Sequence, residues 1–410
     1  MLDLMSAPDR ARAEPGPVLV VNSGSSSVKF AIFSGSEPQE RLLSGAVERI
    51  GRGDGQLRVD DGSRDSLMVE QQPFRDHTRA IGAAIEAVTE LFSGKDIVAA
   101  GHRVVHGGPE CDCAKRITPT LEAELRRFVS LAPLHQPHNL AGIEAVRSHL
   151  PDLPQIACFD TAFHQGRPRL STLTGLPRAL HDSGIRRYGF HGLAFEYVVE
   201  ELRARGVNLA SEKIVLAHLG GGASMCALSQ GKSVETTTGF STLAGLPMST
   251  RPGDLDPGIV LHLMKELGWS VEDVEETLYN HSGLLGLSGT SSNVRDLLSQ
   301  GDSAAKEAID YFCYQCRRQL AGLTAALGGL DRVVFSGGIG ANSAEIRLRI
   351  CTSLAYLGIA LDERANHTGA RLISSDAGSV AVEVSLTDEE LMIARHVRRE
   401  LCKPTLREDA

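Results

Sequence analysis

The stretch that decides the fold is VLVVNSGSSSVKFAIF, Val18–Phe33. A β-branched apolar run, Val18–Val21, precedes the small polar segment Asn22–Ser27, and apolar residues then alternate from Val28 onward. This pattern predicts a strand, a tight turn and a second strand. Such a turn presents backbone N–H groups and hydroxyls at one point, and Gly24 lets a ligand approach the backbone closely. The stretch therefore predicts a phosphate cradle.

A second copy of this unit favours a phosphate-binding turn over an ordinary hairpin. Lys29 adds a positive charge beside the turn, but the order G-x-x-x-x-G-K-[ST] is absent, so the unit is not a P-loop. A single copy is best explained as an ordinary Ser-rich hairpin. However, IVLAHLGGGASMCALSQG at Ile214–Gly231 aligns with it without a gap at an offset of 196, which places Gly24 on Gly220. The repeat predicts two similar domains facing each other across a cleft, with a nucleotide's phosphates between the two turns.

Length, composition and net charge exclude several classes of function for this chain. The chain has 410 residues, 42% hydrophobic and 23% charged, which predicts a globular enzyme of two domains. The net charge of −9 argues against a nucleic-acid partner or an anionic membrane surface. No apolar run is long enough to span a bilayer, and residues 1–17 have no apolar core like that of a signal peptide, which predicts a flexible N-terminal tail.

Cysteine and histidine pairs have simple structural explanations. The 8 scattered cysteines are typical of reduced thiols in a cytoplasmic protein. Cys313 and Cys316 lie in a segment with a helical pattern, which favours buried thiols over a zinc or redox site. His135 and His138 flank Pro137 in Ala132–Asn139, which we expect to be a rigid loop, and this argues against a helical metal pair.

Periodicity and turn residues predict an α/β chain. Further predicted strands are Leu42–Glu48, Gln56–Asp60, Ser66–Glu70, Ile97–Ala100, Gln155–Phe159, Ser233–Thr238, Asp331–Phe335 and Val380–Val384. Predicted helices are Asp76–Phe92, Pro119–Leu131, Leu193–Arg205, Asp256–Leu267, Val271–Tyr279, Ser303–Leu327 and Thr387–Leu401. The long apolar loop Thr238–Asp254 is unusual in a compact domain and indicates a functional segment.

Isolated polar residues at the ends of these elements are candidates for the site. Arg103 follows a strand and is bracketed by glycines, which favours an anion clamp over a surface arginine. Asp160 ends an apolar strand, where a carboxylate faces the crevice of an open sheet unless it is a helix cap. His191 precedes a helix N-terminus, and Arg251 ends the long loop. The glycine-rich turn Ser336–Asn342 between a strand and a helix is a weaker nucleotide signal.

Taken together, ten ordered motifs resemble the acetate kinase family. They are VLVVNSGSSSVKF, GHRVVHGG, LAPLHQPHN, FDTAFH, YGFHG, AHLGGGASM, TTTGF with GLPMSTRPGDLDP, SGLLGLSGTSSNVRD, FSGGIGANS and TDEELMIARH. The resemblance implies the fold of actin, sugar kinases and the heat-shock chaperone ATPase, with two duplicated actin-like (ribonuclease H-like) α/β domains. It also implies a cytoplasmic homodimer that moves the γ-phosphoryl group of ATP reversibly onto acetate, using magnesium or manganese.

The resemblance also assigns roles to the matching positions. Asp160, His191 and Arg251 would be catalytic, and Asn22 and Glu389 would lie at the metal. The acyl substrate would meet Arg103, Val105, Leu134, Phe190 and Thr242. ATP would be bordered by Lys29, His218, Leu219, Gly220, Gly221, Gly222, Asn293, Val294, Arg295, Gly338, Ile339, Gly340, Ala341 and Asn342. Because a carboxylate nucleophile is already ionised near neutral pH, we expect Asp160 to act on the metal or on orientation.

Four positions depart from the family pattern. Gly221, Asn293 and Ala341 replace the usual Asn, Asp and Glu on the nucleotide side, and Thr242 replaces a Pro of the acyl pocket. These departures leave open a propionate or other short-chain acyl kinase, and a degenerate, non-catalytic ATP-binding member. A filament-forming or chaperone-type ATPase would not explain the two arginines and the histidine.

The predicted domain boundaries follow from the repeat and the resemblance. We expect a tail at residues 1–17, an N-terminal domain at 18–205 with most acyl-substrate residues, and a nucleotide-binding domain at 206–386. A C-terminal helical segment, 387–410, is expected to pack back toward the N-terminal domain.

Overall fold

The computed structural model describes residues 16–24, 27–61, 67–92 and 97–403. The predictions for residues 1–15 and for the hydroxyls of residues 25–26 in the first turn lie outside these ranges. The strands are β1 (Val18–Ser23), β2 (Ser27–Phe33), β3 (Arg41–Glu48), β4 (Gln56–Asp60), β5 (Met68–Gln71), β6 (Ala99–Val104), β7 (Lys115–Arg116), β8 (Gln155–Phe159), β9 (Ile214–Leu219), β10 (Ala223–Ser229), β11 (Lys232–Thr236), β12 (Arg332–Ser336) and β13 (Ala381–Val384).

Helices cover both sheets. They are α1 (His77–Leu91), α2 (Pro119–Arg126), α3 (Gln136–His149), α4 (Arg169–Thr172), α5 (Arg178–Asp182), α6 (Gly192–Ala204), α7 (Pro257–Lys265), α8 (Val271–Asn280), α9 (Gly283–Ser288), α10 (Val294–Gln300), α11 (Ser303–Leu327), α12 (Gly337–Asn342), α13 (Ala344–Thr352), α14 (Glu363–Thr368) and α15 (Glu389–Leu401). The 25-residue α11 shows how the sequence sets such limits, because Asp302 caps its first turn and left-handed Gly328 ends it.

The two sheets share one strand order. The first sheet runs β5-β4-β3-β2-β1-β6-β8-β7 and the second runs β11-β10-β9-β12-β13. In each, an antiparallel hairpin is followed by two strands parallel to its first strand. The five strands β3-β2-β1-β6-β8 therefore correspond to β11-β10-β9-β12-β13. The duplication predicted from the repeated hairpin is present in the fold.

The ungapped alignment of the two hairpins is wrong beyond the first strand. Asn22 pairs with Lys29, whereas its counterpart His218 pairs with Ser224, so the second turn is one residue shorter. Side chains alternate between the two faces of a strand, so a one-residue slip changes which residues correspond. Ser224, and not Met225, therefore occupies the place of Lys29.

Several predicted boundaries need correction. Strand β6 continues through Gly101 to Val104, so Arg103 lies within the strand and not after it. Helix α3 begins at Gln136 inside the predicted loop, because a proline in the first helical turn leaves no hydrogen bond unmade. The predicted glycine-rich turn after β12 is itself the short helix α12.

The C-terminal helix α15 packs on the first sheet. It contacts β1, β6 and α6, and its buried face includes Ile393 and Val397. Gly101 of β6 permits this approach, since a Cβ there would lie 2.5 Å from Val397 Cγ2. Packing at this point fixes the N-terminal turn of α15, and with it Glu389, beside Asn22 at the turn end of the first hairpin.

Two structural features are absent from the described residues. No helix there combines the length and the apolar content needed to cross a membrane. The same residues contain no group of three or more His, Cys, Asp or Glu side chains arranged to hold a metal ion. His138 instead stacks on His77 with ring centroids 3.8 Å apart, and His135 is the residue before α3.

Candidate active site

The long loop between β11 and α7 holds Arg251 in the interior. Arg251 is 8% exposed and donates from Nη1 to the Thr242 carbonyl at 2.8 Å. Its own carbonyl accepts from Met248 N at 2.9 Å, and Gly283 packs so closely that a Cβ there would lie 2.6 Å from that oxygen. Burial lowers the pKa of the guanidinium to about 10, so Arg251 is a charged group at neutral pH. The prediction of a functional loop here has a structural basis.

A network of charged side chains joins β6 to the residue that follows β8, near the first hairpin. Arg103 donates from Nε and Nη2 to the Asp160 carboxylate, at 3.2 and 2.7 Å, and its Nη1 lies 3.3 Å from Glu389 Oε2. Asp160 is 1% exposed, and this burial raises the pKa of its carboxyl while Arg103 opposes the rise. Burial by itself would lower the pKa of Arg103, but the nearby carboxylates raise it; they belong to Asp160, Glu389 and Glu390. The arginine predicted as a free anion clamp is thus already paired.

His191 caps α6 in an unusual backbone conformation. Its φ of 60° is left-handed, which is costly for a residue with a Cβ and is often retained at functional sites. The next amide, Gly192 N, donates to the Asp160 carbonyl at 2.9 Å. His191 Nδ1 lies 2.8 Å from Ser224 Oγ, and its ring centroid lies 5.0 Å from that of His218. Burial, followed by the charges of His218, Arg103 and Arg251, lowers the pKa of His191 well below its ordinary value.

One small cavity collects most of the predicted catalytic and acyl-binding residues. It encloses about 20 Å³. Its walls are Arg103, Val105, His135, Asp160, Phe190, His191, Thr238, Thr242, Met248 and Arg251. Positive and polar groups therefore surround a space for a very small anion, and Val105, Phe190 and Met248 supply apolar walls.

One residue predicted for the acyl wall does not line this cavity. Leu134 is not among its lining residues, and His135 next to it is. Among the described residues His135 Nδ1 has no hydrogen-bond partner, and neither does the buried Thr242 Oγ1. Sequence reasoning treated His135 only as half of a metal pair and missed Thr238 and Met248. The signal for His135 was available, since it lies in the same short motif as Leu134.

A larger cavity of about 880 Å³ lies in the second half of the chain. Eight of the predicted ATP residues line it: Gly220, Gly221, Asn293, Val294, Arg295, Gly338, Ile339 and Asn342. This volume is within the usual range for a small-molecule site. Further lining residues that sequence reasoning missed are Ser249, Ser292, Leu298, Ser343, Ala344, Glu345, Leu348, Glu363, Asn366 and His367. Ser343 ends the motif FSGGIGANS, and the residues from Ala344 onward follow it and carried no motif.

The other predicted nucleotide residues lie outside this cavity. Leu219 is fully buried in the core of the second domain, and Gly340 and Ala341 offer their carbonyls to Arg347. His218 lies beside Ser336, with its Nδ1 3.2 Å from the hydroxyl oxygen. Lys29 is exposed on β2. None of these residues lines the large cavity.

The glycine turn Gly220–Gly222 lies between the two cavities. Gly221 lines the large one, and its carbonyl accepts from Ser249 N at 3.2 Å. A Cβ on Gly222 would lie 3.0 Å from His191 Nε2 and 3.2 Å from Arg251 Nη2, two residues of the small cavity. The turn Gly220–Gly222 therefore adjoins both cavities.

The residues predicted at the metal lie together at the edge of the charged network. Asn22 Nδ2 lies 3.4 Å from Glu389 Oε2 and 3.5 Å from Glu390 Oε1. Although burial opposes it, Arg103, His218 and Lys29 lower the pKa of Glu389, so it is an ionised carboxylate at neutral pH. One amide and two carboxylates thus supply oxygen atoms of the kind that hard cations prefer.

Comparison with known proteins identifies the family. The model of the acetokinase family matches residues 17–395. The chain belongs to the acetokinase family. It is 46% identical over 391 residues to an acetate kinase of Rhodopseudomonas palustris, covering 93% of this chain and 98% of that one. It is 42% identical over 393 residues to an acetate kinase of Clostridium botulinum, covering 93% and 98%.

Solved structures of acetokinase-family members have the same fold. A propionate kinase from Francisella tularensis gives a TM-score of 0.86 at 35% identity, covering 93% of this chain and 98% of that one. An acetate kinase from Porphyromonas gingivalis gives 0.82 at 35% identity, covering 94% and 100%. The family predicted from the ten motifs and the two-domain actin-like fold class are both confirmed.

Proposed function

We propose that the protein is an acetate kinase that transfers the γ-phosphoryl group of ATP to acetate, giving acetyl phosphate and ADP, by direct and reversible in-line transfer. The observation that carries this proposal is the turn Gly220–Gly222, which adjoins both the large cavity and the small cationic one. A nucleotide in the large cavity would direct its phosphates past this turn toward Arg251 and His191. Family membership and the curated names of the relatives support the same reaction.

The small cavity suits charge stabilisation better than proton transfer. In phosphoryl transfer the protein mainly positions the reactants and neutralises charge on the equatorial oxygens. Arg251 brings a buried cation with its Nη2 near Gly222. We infer that neutral His191 accepts from Ser224 at Nδ1 and donates from Nε2, the atom that faces the same turn. Acetate needs no general base, because its carboxylate is already ionised near neutral pH.

Arg103 and Asp160 would place the acyl substrate. The Asp160 carboxylate orients the Arg103 guanidinium through Nε and Nη2, and the second N–H of Nη2 would meet a substrate carboxylate, since Nη1 already lies 3.3 Å from Glu389 Oε2. Val105 and Phe190 would contact the methyl group of acetate. In this assignment Asp160 is a positioning residue, and no proton transfer passes through it.

The metal proposed for the reaction is magnesium, with manganese as a substitute. Asn22 and Glu389 would hold it, with Glu390 in reach. A Mg²⁺ ion typically takes one or two carboxylates from the protein and completes its shell with phosphate oxygens and water, which fits the small donor set found here. When bound, such an ion neutralises charge on the β- and γ-phosphate oxygens.

A homodimer in the cytoplasm is also proposed. Helix α7 has no buried residue and exposes apolar side chains, with Leu261 54% and Ile259 44% exposed. Apolar surface of this kind marks a protein interface, and we propose a second copy of the chain as its partner. The eight cysteines, all within the described ranges, are free thiols, which is typical of a reducing compartment.

Trapping of acyl phosphate with hydroxylamine tests the proposed reaction. The full chain with magnesium-ATP is supplied with acetate, propionate or butyrate in parallel, and kcat/KM is measured for each. We expect the highest value for acetate. A mixture without ATP is the blank, and no hydroxamate from any of the acids while ATP still binds would overturn the kinase assignment.

A propionate kinase is the second candidate, because the Francisella propionate kinase shares the fold and Thr242 replaces the family's proline in the acyl wall. One methylene changes transition-state binding by about 1–3 kcal/mol, so the same assay separates the two acids. A higher kcat/KM for propionate would make Thr242 the residue that selects the longer chain.

A further inference from the structure

A second cationic cavity lies just before the catalytic histidine in sequence. It encloses about 210 Å³ between the start of α4, the end of α5 and the extended segment that leads to His191. Its walls include Arg167, Arg169, Arg186 and Arg187. The residues of this wall line neither the acyl cavity nor the nucleotide cavity.

Positive charge exceeds negative charge around this cavity. Among the described residues, the carboxylates paired with its four arginines are Glu235, 2.8 Å from Arg187 Nη1, and Asp182, 3.5 Å from Arg169 Nη2. Neither carboxylate lines the cavity. The Arg169 pair is more than half exposed on both sides and is therefore weak. In a chain of net charge −9, this is a local concentration of cations.

The innermost arginine is held in place with one nitrogen unused. The Arg167 side chain is 1% exposed and donates from Nη2 to the carbonyls of Arg187 and Tyr188, at 2.9 and 2.8 Å. Its Nη1 has no hydrogen-bond partner among the described residues, and the Glu235 carboxylate is 4.0 Å away. A buried, unsatisfied N–H of a charged group is costly. Arg167 lines the cavity, so an anion bound there would lie beside this guanidinium group.

A second arginine is fixed at the cavity wall. Arg186 donates from Nη2 to Gln165 Oε1 at 2.9 Å, and its Cζ lies 5.2 Å from the centre of the Tyr188 ring. Its Nε also lacks a hydrogen-bond partner within the described ranges. Planar guanidinium groups held in this way match the oxygens of phosphate. The cavity thus has the charge and the preorganised donors of a built oxyanion site.

We propose that this cavity binds a compact phosphate dianion, either inorganic phosphate or a small phosphate ester, and that the bound anion regulates the kinase. The binding step is independent of the proposed function, whereas the regulatory step rests on it. The site is separate from the one that holds the phosphates of the nucleotide.

Hydrogen bonds connect this cavity to the acyl cavity. Arg187 donates from Nη2 to the carbonyls of Thr236 and Thr238, the latter at 3.4 Å. Thr238 Oγ1 accepts from Phe190 N at 3.1 Å, and both residues line the acyl cavity. An anion that draws Arg187 toward the cavity would therefore shift the wall of the acyl site and change its affinity for the acid.

Calorimetric titration of inorganic phosphate into the full chain, at constant ionic strength, tests the binding step. The background is Arg251→Ala, which removes the main cation of the active site. We expect one binding site, weakened at least about tenfold by Arg169→Ala with Arg186→Gln, because each change removes a charge-assisted contact. The matched control is Arg178→Ala, a nearby exposed arginine that does not line the cavity.

The binding step and the regulatory step are tested by different measurements. Glycerol 3-phosphate, titrated in parallel, identifies the source by whichever ligand binds more tightly. Unchanged affinity in the Arg169→Ala, Arg186→Gln protein, or no binding of either ligand, would overturn the site. The single variant Arg169→Ala, at an exposed side chain, serves if the double variant does not fold. In the wild type we expect a saturating anion to change the KM for acetate at least twofold. Binding without this change would overturn the regulatory step alone.

Discussion

At the scale of single residues, the most specific prediction concerns the effect of Arg251 on kcat. Its guanidinium is buried, its Nη1 is occupied by the Thr242 carbonyl, and its Nη2 faces the glycine turn between the two cavities. We expect Arg251→Ala to lower kcat by about 10²–10³-fold, the usual cost of removing one preorganised donor to a transition state. Because Arg251 does not line the nucleotide cavity, the Kd for ATP should change little.

The matched comparison is Arg295→Ala. Arg295 lines the nucleotide cavity and lies outside the acyl cavity, so its loss should raise the Kd for ATP more than it lowers kcat. Hydroxamate kinetics give kcat and calorimetry gives the Kd for ATP in both variants. Near-normal turnover in Arg251→Ala would contradict its assignment to the transition state.

At this scale the sequence predicted four residues, Arg103, Asp160, His191 and Arg251, that one cavity brings together. Asp160 follows β8 and His191 precedes α6, as expected, whereas Arg103 lies within β6 and Arg251 lies in the long loop. The ion pair between Arg103 and Asp160 was not predicted, because it joins two strands 57 positions apart in the chain. Contacts of this kind depend on sheet order, which a single sequence does not display.

At the scale of elements, the turn between β9 and β10 adjoins both cavities. Gly222 leaves little room for a side chain, since a Cβ would lie 3.0 Å from His191 Nε2 and 3.2 Å from Arg251 Nη2, and these groups would have to move by a few tenths of an ångström. We expect Gly222→Ala to displace both donors and to lower kcat by about tenfold or more, because small misplacements of catalytic groups are costly. The melting temperature should change little.

The neighbouring glycine provides the control. A Cβ on Gly221 would meet Ser249 Oγ at 3.7 Å, an ordinary contact. Gly221→Ala should therefore lower kcat less than Gly222→Ala, in the same hydroxamate assay with thermal unfolding as the check on folding. Equal losses in the two variants would show that the space beside His191 is not what Gly222 preserves.

Elements were predicted well where periodicity was strong and poorly where glycine or proline dominated. Helix α11 has its predicted ends because Asp302 and Gly328 are clear caps. Gly337–Asn342 was expected to be a turn and is a helix, since its glycines allow several conformations and only packing against β9 selects one. Local sequence does not contain that information.

At the scale of the whole molecule, the duplication could be predicted because two turns half a chain apart kept their glycines. The one-residue difference between the turns could not, because only backbone pairing reveals it. The domain boundaries at residues 205 and 386 stay predictions. The placement of α15 on the first sheet shows why they are difficult, since the last helix returns to the half of the chain where the fold begins.

We expect the N-terminal half of the chain to lose stability in acid, because it contains three fully buried histidines. His102, His106 and His164 are at most 2% exposed. Burial lowers the pKa of His102 to about 4 and those of His106 and His164 to about 3. His106 Nδ1 accepts from Gly108 N at 2.9 Å, which requires the neutral ring. Below about pH 6.5, protonation of these rings therefore accompanies unfolding.

The sign of the pH dependence follows from these values. The unfolded pKa of histidine, about 6.5, lies above the folded values, so the unfolded state binds more protons between about pH 6.5 and pH 4. The free energy of unfolding is thus highest above pH 6.5 and decreases as the pH falls, by up to about 1.4 kcal/mol per pH unit for each ring.

Urea unfolding from pH 7.5 to 4.5 measures this dependence of the free energy of unfolding on pH. His102→Asn should make the slope shallower, whereas Phe74→Leu, a buried change without a titrating group, should lower stability and keep the slope. A wild-type free energy of unfolding that stays constant from pH 6.5 to 5 would show that these rings are protonated in the folded protein.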